Sequence, residues 1–228
     1  MHRSQLLFVL SALCLPNLHA ANIIDQIYGP GAGSFEVPDP SIGTYATYQS
    51  GSTAITGWTV NTVNIDWVRD SIWNASNGHY SIDMNGTQPN NQPSLPGGIQ
   101  TMIPTTAGST YRVTFDIAGF VSAGNTTNPK TMNVTAGGIT TSFSLTTTNI
   151  YSGTLVTPLA LNWTTVVFNF VATGASSVVS FVSTVTNGDG SAMLLDNVVI
   201  EAVPEPASSV IFGIGVAGLA LRRRRAAR

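Results

Sequence analysis

Residues 111–117 read Tyr111-Arg112-Val113-Thr114-Phe115-Asp116-Ile117, and this stretch decides the fold class. Tyr111, Val113, Phe115 and Ile117 alternate with polar residues, the period of two that turns apolar side chains to one face of a β-strand. Residues 165–170 repeat the pattern, with Val166, Phe168 and Phe170 alternating with Thr165, Val167 and Asn169. Working outward, 131–135, 139–145, 178–182 and 194–200 are further short runs of β-branched and aromatic residues. Turn formers separate them at Gly137-Gly138, Ala172-Thr173-Gly174 and Asn187-Gly188-Asp189-Gly190. Lysine occurs once and glutamate three times in the chain, so strong helix formers are scarce. The expectation is an all-β domain over 22–202, a two-sheet sandwich or jelly roll of about nine to eleven strands. Its core should take Trp58, Tyr111, Val113, Phe115, Phe168 and Phe170. Residues 88–96, rich in Pro, Asn and Gln, read as a loop.

The charge distribution excludes several functions. Of 228 residues, nine are basic and eleven acidic, but six of the basic ones lie at the two ends. Between Asn22 and Val203 three basic side chains face ten acidic ones, a net charge of −7. Such a body repels phosphate backbones, which argues against nucleic-acid binding. It holds one histidine, His79, and no cysteine, since Cys14 falls in the N-terminal segment. A disulfide scaffold, a thiol nucleophile and multi-histidine metal sites are excluded with it.

The two ends read as addresses. Residues 1–20 carry a basic start, a short apolar core and Ala20 before a cleavage point, the pattern of a secretory signal peptide. At the other end, 203–228, Pro204-Glu205-Pro206 breaks regular structure. Fifteen uncharged residues follow, then Arg222, Arg223, Arg224 and Arg225. An uncharged run stopped by arginines reads as a short transmembrane helix with a cytoplasmic end. Fifteen residues rise about 22 Å, less than the ~30 Å hydrocarbon core, which suits a transient sorting anchor better than a permanent one. Gly213, Gly215 and Gly218 form a literal G-x-G-x-x-G, but no strand precedes it and no acidic residue follows, so it is no dinucleotide site.

This tail resembles the PEP-CTERM sorting signal of Gram-negative bacteria. The resemblance implies export across the inner membrane, transient anchoring by the C-terminal helix, and processing by an exosortase-type membrane enzyme at the cell surface. The body carries a second resemblance. Gly33-Ser34-Phe35-Glu36, Ile55-Thr56-Gly57-Trp58-Thr59-Val60, Trp73-Asn74-Ala75-Ser76-Asn77-Gly78, Ser81-Ile82-Asp83-Met84-Asn85-Gly86, residues 111–119 and Leu195-Asp196-Asn197-Val198 follow in that order. They are similar to the choice-of-anchor C family of exported proteins, relatives of a domain of unknown function in plant cell-wall proteins. The resemblance implies a galactose-binding-like jelly roll. Phe120 departs from the family pattern, where a polar residue is usual.

Candidate chemistry is sparse. Asp196 interrupts a run otherwise apolar on both faces, and an unpartnered buried carboxylate costs several kcal/mol. A Ca²⁺ ion bound by oxygens would compensate it; the alternative is an edge position with backbone N–H partners. The family resemblance implies Glu36 and Asp196 as side-chain ligands of such a structural ion. Trp67, beside Arg69 and Asp70, has the mix that stacks on and hydrogen-bonds a sugar, although large aromatics also fill cores. Trp58 and Trp163 read as core. A glycosidase would need two facing carboxylates, and Asp66, Asp70, Asp83 and Asp116 are available, but sequence alone does not place them. His79 reads as an exposed or hydrogen-bonded turn residue, with no G-x-S-x-G elbow to serve. The expectation is a non-catalytic, exported protein that binds extracellular polysaccharide; the alternative is a polysaccharide-acting hydrolase.

Overall fold

The computed structural model describes residues 21–39, 41–88, 95–124, 128–153, 157–186 and 191–204. Residues 1–20, read above as a signal peptide, most of 88–96, residues 187–190 and the sorting motif beyond Pro204 lie outside the described residues.

The strands follow the alternation read from the sequence. The pattern at 111–117 lies within β6 (Thr110–Ser122), and the one at 165–170 within β10 (Thr164–Val171). Likewise 131–135 lies in β7 (Lys130–Ala136), 139–145 is β8 (Ile139–Leu145), 178–182 lies in β11 (Ser176–Ser183) and 194–200 in β12 (Ala192–Ala202). Six further strands are β1 (Tyr45–Gln49), β2 (Thr59–Thr62), β3 (Asn64–Arg69), β4 (Tyr80–Asp83), β5 (Gly98–Pro104) and β9 (Ile150–Tyr151). One short helix, α1 (Ile23–Tyr28), precedes them, capped by the Asn22 side chain.

Two sheets stack face to face. The larger runs β1-β3-β4-β12-β6-β10, with β9 joining β6; the smaller runs β2-β5-β11-β7-β8. Apart from the short β6–β9 pair, the pairings between strands are antiparallel, the architecture of a jelly-roll sandwich. Between the sheets lies the main core. All six residues expected there are buried in it, joined by Trp67, Ile82, Phe181 and Leu195.

The large sheet is covered on its outer face as well. There Val68, Ala118, Phe120, Ala192 and Leu194 pack with Trp73 and Leu161, and Leu159, Tyr151 and Trp163 rest against them. Two connecting segments supply this cover and are stitched together. Asn74 N–H donates to Leu159 O, Leu159 N–H donates to Ile72 O, and the Trp163 indole donates to Asn74 O. Doubly covered strands need no alternation, which is why β3, β4 and the first half of β12 are buried throughout or nearly so.

Candidate functional site

The inward residues of the central strands fix what must point outward. On β3, Ile65 and Trp67 enter the main core, so Asp66 and Val68 face out; on β4, Tyr80 and Ile82 go in, so Ser81 and Asp83 face out. Register then sets Asp66 directly opposite Asp83, and Asp116 directly opposite Asp196. One face of one sheet thus carries two aspartate pairs, on either side of the apolar patch.

The first pair borders a cavity of about 210 Å³, walled by Tyr45, Trp73, Phe120 and Tyr151 with Asn85 and Thr87 beside the acids. Asp66 is fully engaged: its Oδ1 accepts from Thr47 Oγ1 at 2.6 Å, and its Oδ2 from Thr87 N and Oγ1 at 3.0 and 2.7 Å. Asp83 accepts one bond, from Asn85 N–H to Oδ1 at 2.8 Å. Burial, and then the neighbouring Asp66 charge, push the Asp83 carboxyl up to about 8, so it holds its proton at neutral pH. Tyr151 is shifted upward too, by desolvation and then by the proximity of Tyr45 and Asp83, which line the same cavity.

The second pair is closed. Asp196 is fully buried, and a bulge between Asp196 and Val199 places Asn197 at a φ of 51°. Asp196 Oδ2 accepts from Ser76 and Asn77 N–H at 2.7 and 3.0 Å, and Oδ1 from Asn197 N–H at 2.6 Å. Asp116 receives Ser76 Oγ, Asn197 Nδ2 and Thr165 Oγ1. Burial drives the Asp196 carboxyl up to about 8 against the pull of its amide donors.

Glu36, the other calcium ligand implied by resemblance, grips the same loop: its Oε1 accepts from His79 and Tyr80 N–H, both at 2.9 Å. The two carboxylates do come together around residues 76–80. Their donor set nevertheless does not fit a calcium ion. Ca²⁺ requires six to eight oxygens, whereas Asp196 Oδ2 and Glu36 Oε1 each accept two amide protons, Asp196 Oδ1 accepts a third from Asn197, and Asp196 has no access from outside. Nor is there, among the described residues, a group of three or more metal-ligating side chains. The premise of an unpartnered or edge carboxylate is corrected with it. Asp196 lies on a central strand, and backbone N–H groups bond both of its oxygens.

Trp67 is also corrected as a sugar-stacking residue. It is 1 % exposed, packs on Tyr48 and Tyr80, and donates its indole N–H to Phe35 O at 2.9 Å. Odd-numbered positions of β3 face the main core, and Trp67 follows Ile65 inward. Arg69 is exposed and Asp70 half-buried at the end of β3, where Asp70 pairs with Arg69 at 3.8 Å and with His79 Nδ1 at 2.6 Å. Neither lines the cavity. The Asp70 hydrogen bond raises the His79 pKa, and the ring stands in solvent, as expected of a turn histidine.

Comparison with known proteins places the whole body. A family model described as "Protein of unknown function (DUF642)" matches residues 31–201. The chain belongs to the DUF642 family. The PEP-CTERM protein-sorting motif matches residues 202–225, marking an exported protein of the Gram-negative type sorted to the cell surface. Halomucin of Haloquadratum walsbyi is 28 % identical over 178 residues, 76 % of this chain but 2 % of that protein, so the chain spans a small fraction of that relative. Among solved structures, a CBM61 module in complex with β-1,4-galactotriose is 14 % identical, with a TM-score of 0.40 over 77 % of this chain and 98 % of that one. The CBM22-1 xylan-binding domain of Xyn10C from Paenibacillus barcinonensis is 15 % identical, with a TM-score of 0.39 over 71 % and 94 %.

Several blocks of this DUF642 domain now have physical roles. Gly33 lies against β12, where a Cβ would stand 2.3 Å from Val198 O; Glu36 holds the 76–80 loop; Asn85 ties β4 to Val185 O and Ser183 Oγ. The cavity residues Tyr45, Trp73, Phe120 and Tyr151 were not legible as a group, because they come from four separate segments. One signal was present: Phe120, an aromatic at a position where the family pattern is polar, lies in the cavity wall.

Proposed function

We propose that the outer-face cavity of the large sheet binds a carbohydrate, and that the chain is a non-catalytic surface protein processed by an exosortase-type enzyme at its sorting tail. The observation that carries this reading is the cavity itself: four aromatic side chains around buried hydrogen-bonding groups. A sugar ring has apolar C–H faces and polar edges, and this pairing of ring faces with carboxyl and hydroxyl groups complements both. At about 210 Å³ the cavity is below the ~300–1,000 Å³ typical of drug-sized ligands, which suits one sugar unit or a chain end.

The placement of the acids supports binding over hydrolysis. Glycosidases set two carboxyl groups on opposite sides of the scissile bond. Asp66 and Asp83 instead project side by side from adjacent strands, on one wall. The test is retention of the purified full chain on a panel of extracellular polysaccharides, with reducing ends assayed in the same samples. Binding without release is expected. Tyr45 is partly exposed at the cavity, and Tyr45→Ala should weaken retention severalfold, as loss of one aromatic contact of ~1 kcal/mol would. Release of reducing ends that Asp83→Asn abolishes would establish the hydrolase reading instead.

A further inference from the structure

Resting on the carbohydrate reading of this cavity, we propose that it selects sugars bearing a protonated amine, such as a deacetylated hexosamine, over neutral sugars and uronates, the ammonium group being received by Asp83 Oδ2 beside Asp66.

The argument begins with what faces the cavity. Among the described residues its titratable lining is Asp66 from β3, Asp83 from β4, Tyr45 from β1 and Tyr151 from β9, with no lysine, arginine or histidine. Phe120 of β6 and Trp73 are apolar walls. The body of the chain is net acidic, and the buried Lys130, packed against Gly119 of β6, is not among the residues that line the cavity.

The two acids are not equivalent. Asp66 has both oxygens occupied by Thr47 and Thr87 donors. Asp83 is 7 % exposed, and among the described residues no donor reaches its Oδ2 while the side chain borders the cavity. A carboxyl oxygen that no described donor reaches, on a residue bordering a ligand-sized space, leaves room for a ligand donor. Two carboxyl groups this close do not both ionise without a counter-charge, and the proton on Asp83 fills that role in the free protein.

Each ligand class meets this arrangement differently. A uronate would add a third negative charge. A neutral hydroxyl could donate to Oδ2 but would not replace the proton. An ammonium group can do both: it donates charge-assisted bonds to the pair and lets Asp83 ionise. The aromatic walls then contact the sugar ring, and their faces attract the cation. A bare metal ion would gain little from such walls, since its coordination needs six or more oxygens.

Proton exchange gives the test a signature separate from affinity. Calorimetry on the full chain in mild detergent at about pH 5.5, where the sugar amines are already protonated and Asp83 still holds its proton, would compare glucosamine oligomers, N-acetylglucosamine oligomers, cello-oligosaccharides and oligogalacturonates of equal length. The glucosamine oligomer should bind about tenfold tighter than the others and release about one proton, read from the dependence of the heat on buffer ionisation. Asp83→Asn should abolish both the proton release and the preference. Neutral or uronic oligomers binding as tightly as the amine would overturn the inference and leave carbohydrate binding standing. Binding of no oligomer would remove both. Calcium chloride alone releasing the same proton and displacing the oligomer would also overturn it, making the pair a metal site.

Discussion

Asp83 and Asp66 stand opposite one another on the outer face of the sheet, and the cost of that placement falls on Asp83. Its folded-state value of about 8 lies above the 3.8 of the unfolded chain. Between those values the folded state keeps a proton that the unfolded state has lost. The Asp83 contribution is therefore complete below about pH 4, falls as pH rises toward 8, and is flat beyond; the slope approaches ~1.4 kcal/mol per pH unit. Asp83→Asn keeps the acceptor for Asn85 N–H without an ionisable group. It should raise the melting temperature by several degrees at pH 8 and change it little at pH 4, as thermal melts across that range would show. Asp196 shifts in the same direction, so a smaller slope remains in the variant. Trp67 is a different kind of residue. Buried against Tyr80 and bonded to Phe35 O, it should cost ~3–5 kcal/mol on replacement by Ala, measured by denaturant unfolding.

At the scale of elements, the connection from β3 to β4 is held by carboxylates from two distant segments. Glu36 takes the N–H groups of His79 and Tyr80, and Asp196 takes those of Ser76 and Asn77. Gly78 sits between them at a φ of +75°, and a Cβ there would stand 2.4 Å from the Glu36 carboxyl. Gly78→Ala should therefore destabilise through both backbone strain and displacement of Glu36. Asp196→Asn leaves one oxygen where the carboxylate offers two, so an amide N–H of the loop or of Asn197 loses its acceptor. Its expected cost is ~1–3 kcal/mol, with faster hydrogen exchange at Ser76 and Asn77. Because amide donors already satisfy these carboxylates, we expect the melting midpoint of the wild-type chain to be the same in excess chelator and in millimolar calcium. A rise with calcium would restore the ion to the Glu36–Asp196 site.

Across the whole molecule, the N-terminal segment is tied to the last strand. Asn22 donates to Val198 O and accepts from Ile200 N–H, and Val198 N–H donates to Gly33 O, which brings the start of the domain next to the place where the sorting motif begins. A domain closed in this way can be released from either end without losing a strand. Intact-mass measurement of the extracellular form should find it lacking residues 1–20 and the Arg222–Arg225 cluster in a host with the sorting enzyme. A surface species retaining the arginines would exclude processing at the tail. Six strands of this fold (β6, β7, β8, β10, β11 and β12) were legible one by one, because a pattern such as that in 111–117 or 165–170 is local to its strand, whereas β1–β5 and β9 were not singled out. The motif at the C-terminus was legible for the same reason, as a contiguous run of residue types. Single positions were not. Trp67 and Asp66 are neighbours in sequence and lie on opposite faces of β3; which of them enters the main core depends on which face the other sheet covers. Asp83 looked like one acid among several until the β3–β4 register set it against Asp66. The strand periods and the C-terminal sorting motif were thus determined by the sequence alone, since each is written in adjacent residues. The cavity, the paired acids and the amide-filled Asp196 were decided only by the tertiary structure, because register and sheet stacking bring together residues up to 120 positions apart.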